Sequence, residues 1–94
     1  MIHVLIVDDD AMVADLNCQY VNRVNGFCCC GVATTLAEAG AVLNAPARQV
    51  DLILLDVYMQ RENGLSLLPV IRASGRDTDV IMITSASDTA TIQT

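Results

Sequence analysis

The fold is read most directly from Asp51-Leu52-Ile53-Leu54-Leu55-Asp56-Val57-Tyr58-Met59. Four consecutive large apolar residues run straight into a carboxylate. A run that apolar reads as a strand buried on both faces, the habit of parallel sheets covered by helices. Asp56 then stands at the carboxyl end of a central strand, where open α/β sheets place their ligand sites.

The flanking segments repeat the alternation. Upstream, Ile2 to Val7 is a second apolar run, and it ends at Asp8-Asp9-Asp10. Asp10 is placed to cap a helix in which Val13, Leu16, Tyr20 and Val24 recur at helical spacing. Asn25-Gly26 stops that helix, and Phe27 to Ala33 follows as a weaker strand suited to a sheet edge. Thr35-Leu36-Ala37-Glu38 is a capping box that opens a helix with Leu36, Ala39, Gly40 and Leu43 on one side. Downstream of Asp56, the polar loop Gln60 to Gly64 leads to a third helix with Leu65, Leu68 and Ile71. Pro69 costs that helix nothing only if it begins near Ser66. Val80 to Ile83 makes a fourth strand ending at Thr84-Ser85, and Ser87 to Thr94 reads as the start of a fourth helix.

Strand and helix alternate, so the expected architecture is one α/β domain over residues 1–94 with right-handed crossovers and a parallel sheet. In such a sheet the carboxyl ends all point one way. Asp8-Asp9, Asp56 and Thr84 therefore converge.

Composition narrows the function classes. The 94 residues allow one core, and the net charge is −6 with five arginines and no lysine. That balance argues against gripping a phosphate backbone and suits binding of a cation. No apolar run reaches the ~20 residues of a membrane span, and Met1 to Val7 lacks the basic start of a signal peptide. Cys18, Cys28, Cys29 and Cys30 have no metal-ligand spacing and read as small apolar residues in a reducing, cytoplasmic setting. Alternation puts Cys28 and Cys30 on one face of the second strand and Cys29 on the other. His3 reads as a strand residue.

Three converging carboxylates repel one another unless a counter-charge is present. An oxygen-only donor set favours Mg²⁺. Such a site suits a phosphoryl group, and a carboxylate held there can act as the nucleophile. Thr84 is placed to hydrogen-bond a phosphoryl oxygen.

The runs Val-Leu-Ile-Val-Asp-Asp-Asp, Leu-Ile-Leu-Leu-Asp-Val-Tyr-Met with Asn63-Gly64 beyond it, and Ile-Met-Ile-Thr-Ser-Ala together resemble the receiver domain of two-component response regulators. Asp10 to Ala14, Tyr58-Met59-Gln60 and Asn63-Gly64-Leu65 resemble the branch that answers sensors of citrate, malate and C4-dicarboxylates. The resemblance implies a flavodoxin-like three-layer α/β/α fold with sheet order 2-1-3-4. It implies that Asp56 accepts a phosphoryl group from a sensor histidine kinase. Asp9, Asp56 and the Tyr58 carbonyl would bind Mg²⁺ directly, Asp8 through water, and Thr84 would contact the phosphoryl group. Ala11 and Met12 would lie where the kinase docks. It implies a phosphoprotein of transcription regulation that turns over no external substrate, assisting only its own phosphorylation and dephosphorylation.

Two departures accompany the resemblance. Gln60 stands where proline is frequent, and the chain ends before the fifth strand and fifth helix, the phosphoryl-pairing lysine, the switch aromatic and the DNA-binding output domain. An open fourth strand or terminal helix then becomes a route to a homo-oligomer. Competing readings are an aspartate-nucleophile phosphohydrolase using Asp8 and Asp10, a flavin- or nucleotide-binding domain, and an inactive structural fragment.

Overall fold

The structure, a computed structural model, describes residues 1–57, 59 and 63–83. The chain runs β1 (Ile2–Val7), α1 (Ala11–Arg23), β2 (Phe27–Ala33), α2 (Leu36–Leu43) and β3 (Leu52–Asp56). A 3-10 turn (Gly64–Ser66), α3 (Leu67–Ala73) and β4 (Asp79–Ile83) complete it. The strands form one parallel sheet in the order β2-β1-β3-β4. The order, the parallel sense and the strand–helix alternation match the expected flavodoxin-like fold. Tyr58, Gln60, Thr84 and the helix expected from Ser87 onward lie outside the described residues.

The sheet's centre is β1, where Val4, Leu5, Ile6 and Val7 are each at most 1% exposed. Its side chains feed two layers. Leu5 and Val7 join Ile53, Leu55, Leu67 and Ile71 under α2 and α3. Val4 and Ile6 join Ala14 under α1. The run in β3 is buried unevenly: Ile53 and Leu55 are fully enclosed, whereas Leu52 and Leu54 are half-buried on the α1 face. Among the described residues β4 pairs only with β3, and Ile81, Met82 and Ile83 are exposed.

The helix signals act as their chemistry requires. The Asp10 carboxylate accepts from Met12 N at 3.0 Å and Val13 N at 3.2 Å. After α1, Gly26 adopts the left-handed φ of +87° that a side chain would resist. Thr35 Oγ1 accepts from Glu38 N, and Thr34 donates from both N and Oγ1 to Glu38 Oε1. Those bonds hold the Glu38 carboxyl below its ordinary range. Pro69 is the third residue of α3, within the first turn, where no N–H is needed. Arg76 closes the opposite end of α2, donating to Leu43 O at 2.8 Å and Ala45 O at 2.7 Å. A cation there also meets the negative end of the helix dipole.

Two readings are corrected by the fold. The stripe Val13, Leu16, Tyr20 and Val24 faces water, with Tyr20 66% exposed. Helix α1 instead packs through Ala14, Cys18 and Val21. The small Ala14 and Cys18 let the helix sit close on β1, and the bulkier Leu16 and Tyr20 turn outward. Second, the cysteines are not all simple packing residues. Cys18 on α1 and Cys29 on β2 bring their sulfurs into disulfide contact, whereas Cys28 and Cys30 are free. Cys29 lies on the α1 face and Cys30 on the opposite one, as alternation requires. The β1–β2 register jumps from Val4↔Cys29 to Leu5↔Gly31, so Cys30 is the extra residue of a bulge. Arg48 donates to Cys30 O at 2.9 Å beside it.

Candidate functional site

The carboxyl ends of β1 and β3 are neighbours because the two strands pair directly, with Val7 opposite Leu55. One residue further on, both chains turn polar. Side-chain oxygens of Asp8, Asp9 and Asp56 all lie within 4.8 Å of one another, each residue half-buried. The expected convergence of these three residues is present.

Each is set by local backbone. Asp8 N donates to Ala33 O at 3.0 Å, extending the β1–β2 ladder past the last residue of β1. Asp8 Oδ1 accepts from Asp10 N at 2.9 Å, which folds the acidic turn back on itself. Asp10 stands apart from the other three, its carboxylate engaged at the N-terminus of α1. A nucleophile pair of Asp8 and Asp10 therefore loses one member to helix capping. On the other strand, Val57 N donates to Ile83 O at 3.1 Å, so β4 steadies the chain just after Asp56.

Gly64 is the residue whose role the sequence concealed. Its N–H donates to Val57 O at 3.0 Å. A Cβ built on Gly64 would overlap Asp56 O and come within 2.9 Å of Val57 Cα and 3.0 Å of Asp56 C. The downstream loop thus presses against the backbone that carries Asp56, and only glycine fits there. Asn63 Oδ1 accepts from Leu65 N at 3.0 Å and starts the 3-10 turn. Gly64 is thereby fixed against the backbone of Asp56 and Val57, with Asn63 ordering the turn that follows.

Burial pushes the Asp8 carboxyl up, and the charges of Asp56, Asp9 and Asp10 add to it, against the lowering effect of the Asp10 N–H. The unfolded chain carries no such penalty. Above the raised folded value the cost of ionised Asp8 is fully present. As pH falls through that value the proton binds and the cost disappears. Asp8→Asn should therefore raise the melting temperature of the metal-free protein at pH 7, by about 2–5 °C for a partly solvated group. The gain should shrink toward pH 4. Thermal melts of both proteins across that range check it, and an equal or lower melting temperature for the variant at pH 7 counts against the repulsion.

The donor set is chemically suited to a hard divalent cation, because it offers carboxylate oxygens with no thiolate or imidazole among them. Two neighbouring carboxylates on rigid strand ends leave the rest of a Mg²⁺ shell to water and other oxygens.

The chain is similar to proteins of one family. Residues 4–94 match the response regulator receiver domain family. DcuR, a transcriptional regulatory protein of Escherichia coli, is 56% identical over 99% of the chain. DctR of Halalkalibacterium halodurans, by name a C4-dicarboxylate response regulator, is 42% identical over the whole chain. The chain spans only 39% of DcuR and 40% of DctR. Among solved structures, the MaeR response regulator bound to beryllium trifluoride superposes with a TM-score of 0.76 at 34% identity, over 92% of this chain and 69% of that one. With the sheet order, the acidic strand ends and 91 matched residues (4 through 94) in agreement, the chain belongs to the response regulator receiver domain family, on the branch that includes DcuR and DctR.

Proposed function

We propose that Asp56 is the phosphoacceptor of this receiver domain and that Asp9 and Asp56 hold Mg²⁺ directly, with Asp8 acting through water. The clustering of these three carboxylates at the joined ends of β1 and β3 is the observation that carries the reading. A carboxylate oxygen of Asp56 attacks the phosphorus of a phosphohistidine. The P–O bond forms as the P–N bond breaks, and the electron pair returns to the imidazole. Mg²⁺, when bound, supplies positive charge against the phosphoryl oxygens. Asp8 and Asp9 contribute by holding that charge in place, and Gly64 by fixing the backbone of Asp56. Tyr58 and Thr84 retain their proposed roles, a metal-facing carbonyl and a phosphoryl-contacting hydroxyl. Thr84 would be the switch residue. The chain acts on itself: it assists its own phosphorylation and slow hydrolysis.

MaeR is bound to beryllium trifluoride, an anion that completes a tetrahedron with a carboxylate oxygen and then has the outline of a phosphoryl group. By analogy the same ligand should bind Asp56 here. Control of transcription through a DNA-binding segment, and a sensor responsive to C4-dicarboxylates, are proposed from the relatives' names.

The exposed stripe of α1 gives the donor a place to sit. Met12, Val13, Leu16 and Tyr20 are 74%, 41%, 49% and 66% exposed and run back from the acidic turn. Contiguous exposed apolar groups of this kind mark docking surfaces. Leu16→Asp should slow phosphoryl transfer from a phosphorylated sensor kinase roughly tenfold or more, a loss of about 1.4 kcal/mol of docking energy. Uptake from the small donor acetyl phosphate should stay unchanged. Equal slowing with both donors would place the defect in the site instead of the docking surface.

A further inference from the structure

We infer that Cys18 and Cys29 form a reversible redox tie that fastens α1 to β2, closed by a low-molecular-weight disulfide and opened by thiols. The two residues come from different elements and are 11 apart in sequence, on either side of the Gly26 turn. Their Cα atoms are 5.3 Å apart, inside the span that a disulfide bridges. Both are half-buried against the cluster of Val4, Ile6 and Ala14, so neither is sealed from small reagents.

The pair is held in register whether or not the bond exists. Asn22, one turn beyond Cys18 on α1, accepts from Cys29 N at 2.8 Å. In the dithiol form the Cys29 sulfur can donate to Gly31 O at 3.5 Å. The open state therefore keeps its geometry and waits for an oxidant. Cys30 does not compete, because it packs on the opposite face of the sheet. Burial pushes its thiol up as well, which keeps it in the less reactive form.

The reaction balances with glutathione disulfide as oxidant. One cysteine thiolate attacks it, forming a mixed disulfide and releasing one glutathione. The second cysteine attacks the mixed disulfide, joining Cys18 to Cys29 and releasing the other glutathione. The two thiol protons end on the two glutathione molecules, and the protein pair loses two electrons to the glutathione pair. In a reducing compartment such pairs sense oxidation and do not serve as permanent staples. Closure crosslinks the middle of α1, the helix that carries the Asp10 cap and the exposed apolar stripe.

Trypsin makes the test direct, because Arg23 lies between the two cysteines and separates peptides 1–23 and 24–48. Protein equilibrated with glutathione disulfide, alkylated and digested should yield these peptides linked, and excess dithiothreitol should release them. The link should survive Cys28→Ser and Cys30→Ser and vanish in Cys18→Ser and Cys29→Ser. The oxidised wild-type protein should melt about 10–15 °C above the reduced one, the scale expected for a short closed loop. No linked peptide at any glutathione ratio, or a link that persists in Cys29→Ser, overturns the proposal. Equal melting temperatures overturn the claim that the bond fastens the helix.

Discussion

Gly64→Ala is expected to disable the site without touching any carboxylate. The added methyl would overlap Asp56 O and lie 2.9 Å from Val57 Cα, so the backbone must move. The atom it meets is main chain in a paired strand, which cannot swing aside as a flexible side chain would. Overpacking of this kind costs about 1–3 kcal/mol of stability. The functional loss should be larger in proportion, since Asp56 is displaced relative to Asp8 and Asp9. Beryllofluoride affinity in the presence of Mg²⁺ should fall at least about tenfold, and a misplacement near 1 Å can cost a hundredfold in rate. Titration followed by amide chemical shifts checks this. Wild-type affinity in a folded Gly64→Ala protein would show that the loop does not position Asp56.

Asp56→Asn should have the largest effect on ligand binding and little on the fold. The substitution keeps the side chain's shape at the half-buried end of β3 and removes the anionic oxygen. Beryllofluoride needs that oxygen to complete its tetrahedron, so binding should drop by roughly a hundredfold or more, about 3 kcal/mol. Removing one of three like charges also relieves the repulsion that raises Asp8. The metal-free variant should therefore be no less stable than wild type at pH 7. The same titration and a thermal melt read both effects. Retained beryllofluoride binding would move the acceptor to Asp8 or Asp9.

These outcomes separate the readings that the sequence left in competition. A phosphohydrolase using Asp8 and Asp10 predicts tolerance of Asp56→Asn. Its geometry is already weakened, because Asp10 serves α1 through Met12 and Val13. An inactive fragment predicts no ligand-induced shifts in the wild-type protein.

Strand ends were legible because burial writes them directly. Ile2 to Val7 and Leu52 to Leu55 are apolar through to a carboxylate, and parallel pairing does the rest. The acidic cluster followed from that one geometric rule. The outward face of α1 did not, because apolar periodicity is the same for a core stripe and a docking stripe. Ala14 and Cys18, too small to dominate the pattern, mark the side that packs together with Val21. The pairing of Cys18 with Cys29 depends on how α1 is rotated over β2, and neither partner's neighbours encode that rotation. Gly64 reads as an ordinary loop glycine until Asp56 and Val57 are placed behind it. Close approach between segments is a tertiary fact.

The central claim is that the joined ends of β1 and β3 make Asp56 a phosphoacceptor. Mass mapping after incubation with acetyl phosphate and Mg²⁺ tests it most directly. Trypsin releases Asp56 in the peptide 49–61. That peptide should gain the mass of one phosphoryl group, lose it on exposure to acid or hydroxylamine, and remain unmodified in Asp56→Asn or when the metal is chelated. A phosphoryl group found on peptide 1–23, or none on 49–61 under these conditions, would contradict the account.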